Sequence, residues 1–171
     1  MSTKNIFAIS GSLRSGSSNH NILRFLGGLL PAEVKYTIYE NLAQIPPFDP
    51  GLDNEDPPQT VVDFRNKIAN ADVVIICTPE YAFGVPGQLK NALDWTVSSS
   101  TLVDKQVALI TASSVGDSAH ASLLKTLGAL SANIIADLLV PFIRAKIDSD
   151  GYIIDEDLKA SLGVVLDTIL K

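Results

Sequence analysis

The chain has 171 residues, enough for one domain with a sizeable core, and 46% of them are hydrophobic, which argues against disorder. The 13 Lys and Arg against 19 Asp and Glu leave a net charge of −6, and no run of basic residues offsets it, so nucleic acid is excluded as a partner. The single cysteine, Cys77, excludes internal disulfides and a cysteine-based metal site.

Apolar runs alternate with helical patterns along the chain. Residues 5–10 (NIFAIS) read as a buried strand. Ile22, Leu23, Leu26, Leu29 and Leu30 then recur at helical spacing. In residues 34–40, Val34, Tyr36 and Ile38 alternate with Lys35, Thr37 and Tyr39, which predicts a more exposed strand at a sheet edge. A proline-containing loop follows at residues 45–50. Residues 58–71 form an expected helix with Val61, Phe64, Ile68 and Ala69 on one face. Residues 73–78 (VVIICT) are a second fully apolar strand. Residues 87–98 are expected to be helical, with Leu89, Ala92, Leu93 and Thr96 aligned. A third buried strand is expected at 107–113, a helix at 119–131, and a last strand within 134–142, ended near Pro141. The final helix carries Leu158, Leu162, Val165, Leu166 and Ile169 as one stripe.

Strands alternating with helices predict a parallel sheet covered on both faces. Five strands and five helices fit one flavodoxin-like domain over residues 1–171, a doubly wound α/β sheet of order 2-1-3-4-5. That order sends the second strand to an edge, where its alternation belongs. Residues 1–10 lack the basic start and long apolar run of a secretory signal, and no stretch reaches the roughly 18 apolar residues of a spanning helix, so cytoplasm is expected.

In such a sheet ligands sit beyond the carboxyl ends of the strands, where the strand order reverses. The loop after the first strand runs from Gly11 to Asn19. It combines Ser12, Ser15, Ser17, Ser18, Asn19 and the Arg14 guanidinium at a helix N-terminus, which suits a phosphate; a plain capped turn would need neither the arginine nor so many hydroxyls. Gly11 and Gly16 have Walker A spacing, but Ser17 and Ser18 stand where Lys and Ser/Thr would be, so a nucleoside triphosphate is not expected. A G-x-G-x-x-G fingerprint and a G-x-S-x-G nucleophile elbow are both absent from the sequence. Cys77 has no phosphate loop around it and reads as a small core residue.

The loop after the third strand, 79–87, holds Tyr81 and Phe83 between two prolines and beside two glycines. It reads equally as a rigid turn or as a place for a planar ring. The loop after the fourth strand contains Ser113, Ser114 and Gly116, small enough for a flat ligand to approach, or an ordinary turn. His20 and His120 read as surface or cap residues. Asp and Glu are scattered without metal-ligand spacing, so no metal is expected.

These residues resemble the NADPH-dependent FMN reductase family, which includes NAD(P)H:quinone reductases. Gly11, Ser12, Arg14, Ser17 and Asn19 match its Gly-Ser-x-Arg-x-x-Ser-x-Asn loop. Thr78 through Trp95 match its Thr-Pro-Glu-Tyr-Asn-x-x-x-Pro-Gly-x-Leu-Lys-Asn-Ala-x-Asp-Trp segment almost throughout. Ala82 replaces the usual Asn, and residues 113–120 lack the Gly-Gly-x-Arg pattern of some quinone-reducing members. The resemblance implies bound FMN, with NADPH or NADH as transient co-substrate. It implies that Ser12, Arg14, Ser17, Ser18 and Asn19 hold the phosphate. Pro79, Glu80, Tyr81, Ala82 and Phe83 would then edge the ring, with Ser113, Ser114 and Gly116 on its other side.

The implied activity is reduction of quinones, free flavin or similar small acceptors by a ping-pong route. A flavin carries the redox chemistry itself, so no catalytic acid or nucleophile is expected. The family also implies a homodimer, or a tetramer in some members. The rival readings are a flavodoxin-like electron carrier, which the acidic charge suits, and a flavin-based redox-sensing module.

Overall fold

A computed structural model describes residues 3–171 of the chain. Its strands are β1 (Asn5–Ser10), β2 (Lys35–Tyr39), β3 (Val73–Thr78), β4 (Gln106–Ala112) and β5 (Asn133–Val140). Its helices are α1 (Ser18–Leu29), α2 (Gln59–Ala69), α3 (Gly87–Asp94), α4 (Asp117–Ala129) and α5 (Glu156–Leu170). Every strand pairing is parallel, and the order is β2-β1-β3-β4-β5. The flavodoxin-like sheet expected from the sequence is therefore the one observed. No described helix is long and apolar enough to cross a membrane.

The all-apolar central strands feed two cores, because side chains leave a strand alternately to either face. From β1, Phe7 and Ile9 join Phe64 and Ile68 of α2, Leu89 and Leu93 of α3, and Leu123 of α4. Ile6 and Ala8 point the other way, into a core with Ile22, Leu23 and Leu26 of α1 and Leu162, Val165 and Ile169 of α5. β3 divides likewise, Val74 and Ile76 against Val73, Ile75 and Cys77.

β2 is an edge strand with Lys35 exposed, but it departs from the expected pattern at Tyr39. Tyr39 is buried against Phe7 and Phe64, with ring centroids 5.5 and 5.2 Å away. α3 stops at Asp94, short of the expected Ser98. There Thr96 takes the Leu93 carbonyl with both its backbone N–H (3.0 Å) and its hydroxyl (2.7 Å), tightening the chain out of the α-helix.

α3 also explains where the proline loop goes. Gln88 Nε2 donates to the carbonyls of Leu42 (2.7 Å) and Ile45 (2.8 Å). Asn91 Nδ2 and Trp95 Nε1 both donate to Pro46 O at 2.9 Å, and Asn91 Oδ1 accepts from Phe48 N at 2.7 Å. Gln88, Asn91 and Trp95 are spaced to share one side of α3. They fasten residues 42–48 to α3 and its C-cap.

Gly11 sets the spacing between the first two site loops. Its N–H donates to Cys77 O at 2.8 Å, drawing the end of β1 onto β3. A Cβ there would lie 2.2 Å from Thr78 Oγ1 and 2.7 Å from Thr78 Cβ. Thr78 is fully buried and β-branched, so it has little room to yield. Gly11→Ala should therefore destabilise the protein by about 1–3 kcal/mol, as overpacking does. The corresponding Tm loss is at least about 2 °C. An unchanged thermal melt would contradict this close approach.

Candidate functional site

α1 starts where the phosphate-like loop ends. Ser17 is its N-cap, and Ser17 Oγ accepts from His20 N at 3.2 Å. The amides of Ser18 and Asn19, in the first turn, have no intrahelical acceptor and form the positive end of the helix. Upstream, Ser12 Oγ accepts from Arg14 N at 3.3 Å and lies 3.3 Å from the Tyr81 hydroxyl, bridging the first loop to the third-strand loop. The Asn19 side chain is turned inward. Its Nδ2 donates to Ala112 O at 3.2 Å, and its Oδ1 accepts from Cys77 Sγ at 3.4 Å. Asn19 thus ties α1 to β3 and β4, leaving its backbone amide for a ligand. Burial pushes the Cys77 thiol up, so it stays protonated and serves as core.

His20 is half-buried beside a second depression on the far side of the loop, with Arg24 and Glu40. Burial and then the Arg24 charge hold its imidazole below the usual value, against the opposing pull of Glu40.

The third-strand loop closes into a reverse turn at Tyr81-Ala82-Phe83-Gly84. Tyr81 N donates to Gly84 O (3.0 Å), and Gly84 N donates to Tyr81 O (2.9 Å). Both central residues have positive φ, +49° at Ala82 and +58° at Phe83. Such mirror-image turns favour Asn-Gly, because a Cβ is strained there by about 1–2 kcal/mol. The family pattern carries Asn at position 82, so Ala82 gives up a residue that tolerates this backbone. Ala82→Asn should raise stability by about 0.5–1 kcal/mol, read as a higher denaturation midpoint. A lower midpoint would show that the turn is not strained.

Glu80 is committed to the scaffold. Its Oε2 accepts from Ala119 N at 2.9 Å and its Oε1 from Gly116 N at 3.4 Å, while its own N–H donates to Ser113 Oγ at 3.2 Å. It caps α4, whose N-cap Gly116 has φ +105° and no side chain to do so.

These loops enclose a cleft of about 350 Å³. Ser12, Arg14, Ser17, Ser18 and Asn19 line it together with Pro79, Glu80, Tyr81, Ser113 and Ser114. Ala82 and Phe83 lie outside this lining at the exposed tip of the turn, and Gly116 lies outside it at the start of α4. Ala112, Ile143 and Arg144 belong to the lining although the sequence reading did not single them out. Arg144 enters on a short 3-10 turn after β5, at the same end of the sheet. The only signal for it was a guanidinium just past the last strand.

Residues 4–145 match the profile of the NADPH-dependent FMN reductases. The chain belongs to the NADPH-dependent FMN reductase family. Among relatives in this family, it is 40% identical to the quinone reductase of Escherichia coli K12 over 116 residues, 65% of this chain and 60% of that protein. The matched part thus spans about 60% of that relative's length. It is 34% identical to the NADH:(hydroxy)cinnamate reductase subunit CrdA of Vibrio ruber over 166 residues, 92% of this chain and 81% of that one. It is 30% identical to a 2-hydroxy-1,4-benzoquinone reductase of a Burkholderia species, over 95% of this chain and 92% of that protein. In structure it is similar to the flavoenzyme NAD(P)H:(acceptor) oxidoreductase FerB of Paracoccus denitrificans, with TM-score 0.76, 24% identity, and coverage of 97% and 95% of the two chains. At that identity the likeness shows the shared fold.

The residues present fit the family's FMN. A phosphate would meet the unpartnered first-turn amides of α1 and the Arg14 side chain, which makes no ion pair among the described residues. A planar ring would meet the adjoining segments Pro79–Tyr81 and Ser113–Ser114, which Glu80 N joins to Ser113 Oγ at 3.2 Å. The one carboxylate lining the cleft, Glu80, is occupied by α4 and does not compete for the cationic end.

Proposed function

We propose that the chain is a cytoplasmic FMN-dependent NAD(P)H oxidoreductase that reduces quinones, free flavin or similar small acceptors. One observation carries this reading: a single cleft joins a helix N-terminus, with an arginine that makes no ion pair among the described residues, to a rigid, aromatic, serine-lined mouth. Bound FMN would supply the electron-transfer chemistry between nicotinamide and acceptor. The chain's own contribution is positional. Arg14, Ser17 and the α1 amides hold the phosphate. The prolines and the closed turn at Tyr81–Gly84 fix one wall. Glu80 ties that wall to Ser113 and to the start of α4. NADPH or NADH and the acceptor then take turns at one exposed ring face, which predicts parallel initial-velocity lines. Intersecting lines would count against a shared site.

The direct test is an absorbance spectrum of the purified protein before and after anaerobic NADPH. A flavin spectrum that bleaches on mixing is expected. A colourless protein that takes up no FMN would remove the cofactor from the proposal, and a flavin that NADPH leaves coloured would favour an electron carrier.

A homodimer that covers the cleft mouth completes the proposal. Phe83 is 79% exposed at the tip of the turn, and Tyr81, which lines the cleft, is 55% exposed. The loop at residues 45–50 adds little to this surface. Ile45 is buried, and Phe48 packs edge-on against Trp95 with ring centroids 5.1 Å apart. An active monomer in sedimentation would contradict the dimer.

A further inference from the structure

Two guanidiniums line the cleft, and the known pattern accounts for one. Arg144 sits in the 3-10 turn Ile143–Ala145, about 130 residues after Arg14 in the chain. Its position is built. Ile143 is buried beneath it, and the turn is stitched to the fourth-strand loop by Ile143 N to Ser113 O (3.1 Å) and Phe142 N to Ser114 O (3.2 Å). Phe142 enters the turn with φ +54°, a left-handed backbone that an aromatic residue rarely adopts. The strain is held by those two bonds and by Ala145 N to Phe142 O at 3.0 Å. The backbone is thereby fixed so that Arg144 faces the same cleft as Arg14.

Neither arginine has an ion-pair partner among the described residues. The carboxylate nearest in the lining, Glu80, is taken by the amides of α4. Two uncompensated cations in one cleft of an acidic protein call for a strongly anionic ligand. A phosphate monoester carries about −1.5 to −2 at neutral pH. Arg14 contributes one positive charge and the α1 terminus roughly half of one, which falls short of a full dianion.

We propose that Arg144 is a second phosphate-binding arginine, so that the flavin phosphate is gripped from two loops, Arg14 after β1 and Arg144 after β5. This rests on the FMN reading of the cleft. Its consequence is that the β5 loop, through Ser113 and Ser114, couples phosphate binding to the wall against which the ring lies. FMN would therefore be preferred over riboflavin by more than a single arginine can provide.

The test is a flavin fluorescence titration of the wild type and of Arg144→Gln, Arg144→Lys and the Arg14→Ala/Arg144→Gln double variant, each with FMN and with riboflavin. Arg144→Gln should weaken FMN about ten- to a hundredfold and leave riboflavin unchanged. Lysine keeps the charge without the bidentate fork and should recover part of the loss. In the double variant the preference for FMN over riboflavin should fall below that of either single variant, to what the α1 amides and the serine hydroxyls supply. Equal losses for both flavins would mean that Arg144 only supports the loop, and an unchanged FMN affinity would overturn the proposal outright. A raised KM for NADPH with FMN binding intact would assign Arg144 to the dinucleotide and equally overturn it. A wild-type protein that binds neither flavin would instead refute the cofactor reading, and this inference with it.

Discussion

Trp95→Ala is expected to destabilise the protein by about 3–5 kcal/mol, measured by denaturant unfolding with the slope unchanged. Trp95 is fully buried and sits where three segments meet. Phe48 stands edge-on to it, and its indole N–H donates to Pro46 O at 2.9 Å. The Arg65 guanidinium lies over its ring at 5.9 Å while also donating to its backbone carbonyl and to Asp53. Removing the indole leaves a cavity under the proline loop and an acceptor with one partner fewer. Trp95→Phe should lose less, because most of the volume remains and Asn91 still bonds Pro46 O. Flavin affinity should change little in either variant, since neither Trp95 nor Phe48 lines the cleft. A loss under about 1 kcal/mol would mean that the segments are held by the Gln88 and Asn91 bonds alone.

The Asp53–Arg65 pair beside this junction adds a pH dependence. Desolvation pushes the Asp53 carboxyl up, but hydrogen bonds from Arg65 and Ser98 and the Arg65 charge outweigh it, so the net value lies below the ordinary one. A carboxyl lowered in the folded state contributes stability above its unfolded value and loses it as pH falls through the folded one. The junction should therefore loosen only in acid, below the usual carboxylate range.

How far the sequence carried the fold follows from where each residue's partners lie. β1 and β3 were legible because a parallel strand buried on both faces must be apolar throughout. α5 was legible because its stripe needs only local spacing. Tyr39 was not, since its burial depends on Phe7 and Phe64, far along the chain and on the opposite side from Tyr36. The path of the proline loop was hidden for a related reason. Ile45 and Phe48 look like free apolar surface until Gln88, Asn91 and Trp95 are seen to bond the backbone between them. In the cleft, hydroxyls and Arg14 next to a helix start announced themselves. The inward turn of Asn19, the use of Glu80 as a cap and the arrival of Arg144 all depend on contacts between distant loops, which no local pattern encodes. The positive φ angles at Ala82 and Phe83 were likewise hidden, because neither residue type signals such a backbone.

Arg14→Ala is expected to weaken FMN binding by about ten- to a hundredfold while leaving riboflavin almost unaffected. The guanidinium lies on the loop that Ser12 and Ser17 shape, beside the unpartnered amides of Ser18 and Asn19. A hydrogen bond involving a charged group contributes about 1.5–3 kcal/mol, and each 1.4 kcal/mol is about tenfold in affinity. Arg14 also borders the depression that holds Arg24 and Glu40. If it turned toward Glu40 it would form a surface ion pair of little consequence, and neither flavin would bind differently. Riboflavin decides between these cases. It shares the ring with FMN and lacks the phosphate, so damage to the ring wall or to folding must weaken both. A loss confined to FMN places the phosphate at the start of α1. Equal losses, or none, would move the phosphate out of this loop, and the second depression, with His20 and Arg24 in its lining, would be the next place to look.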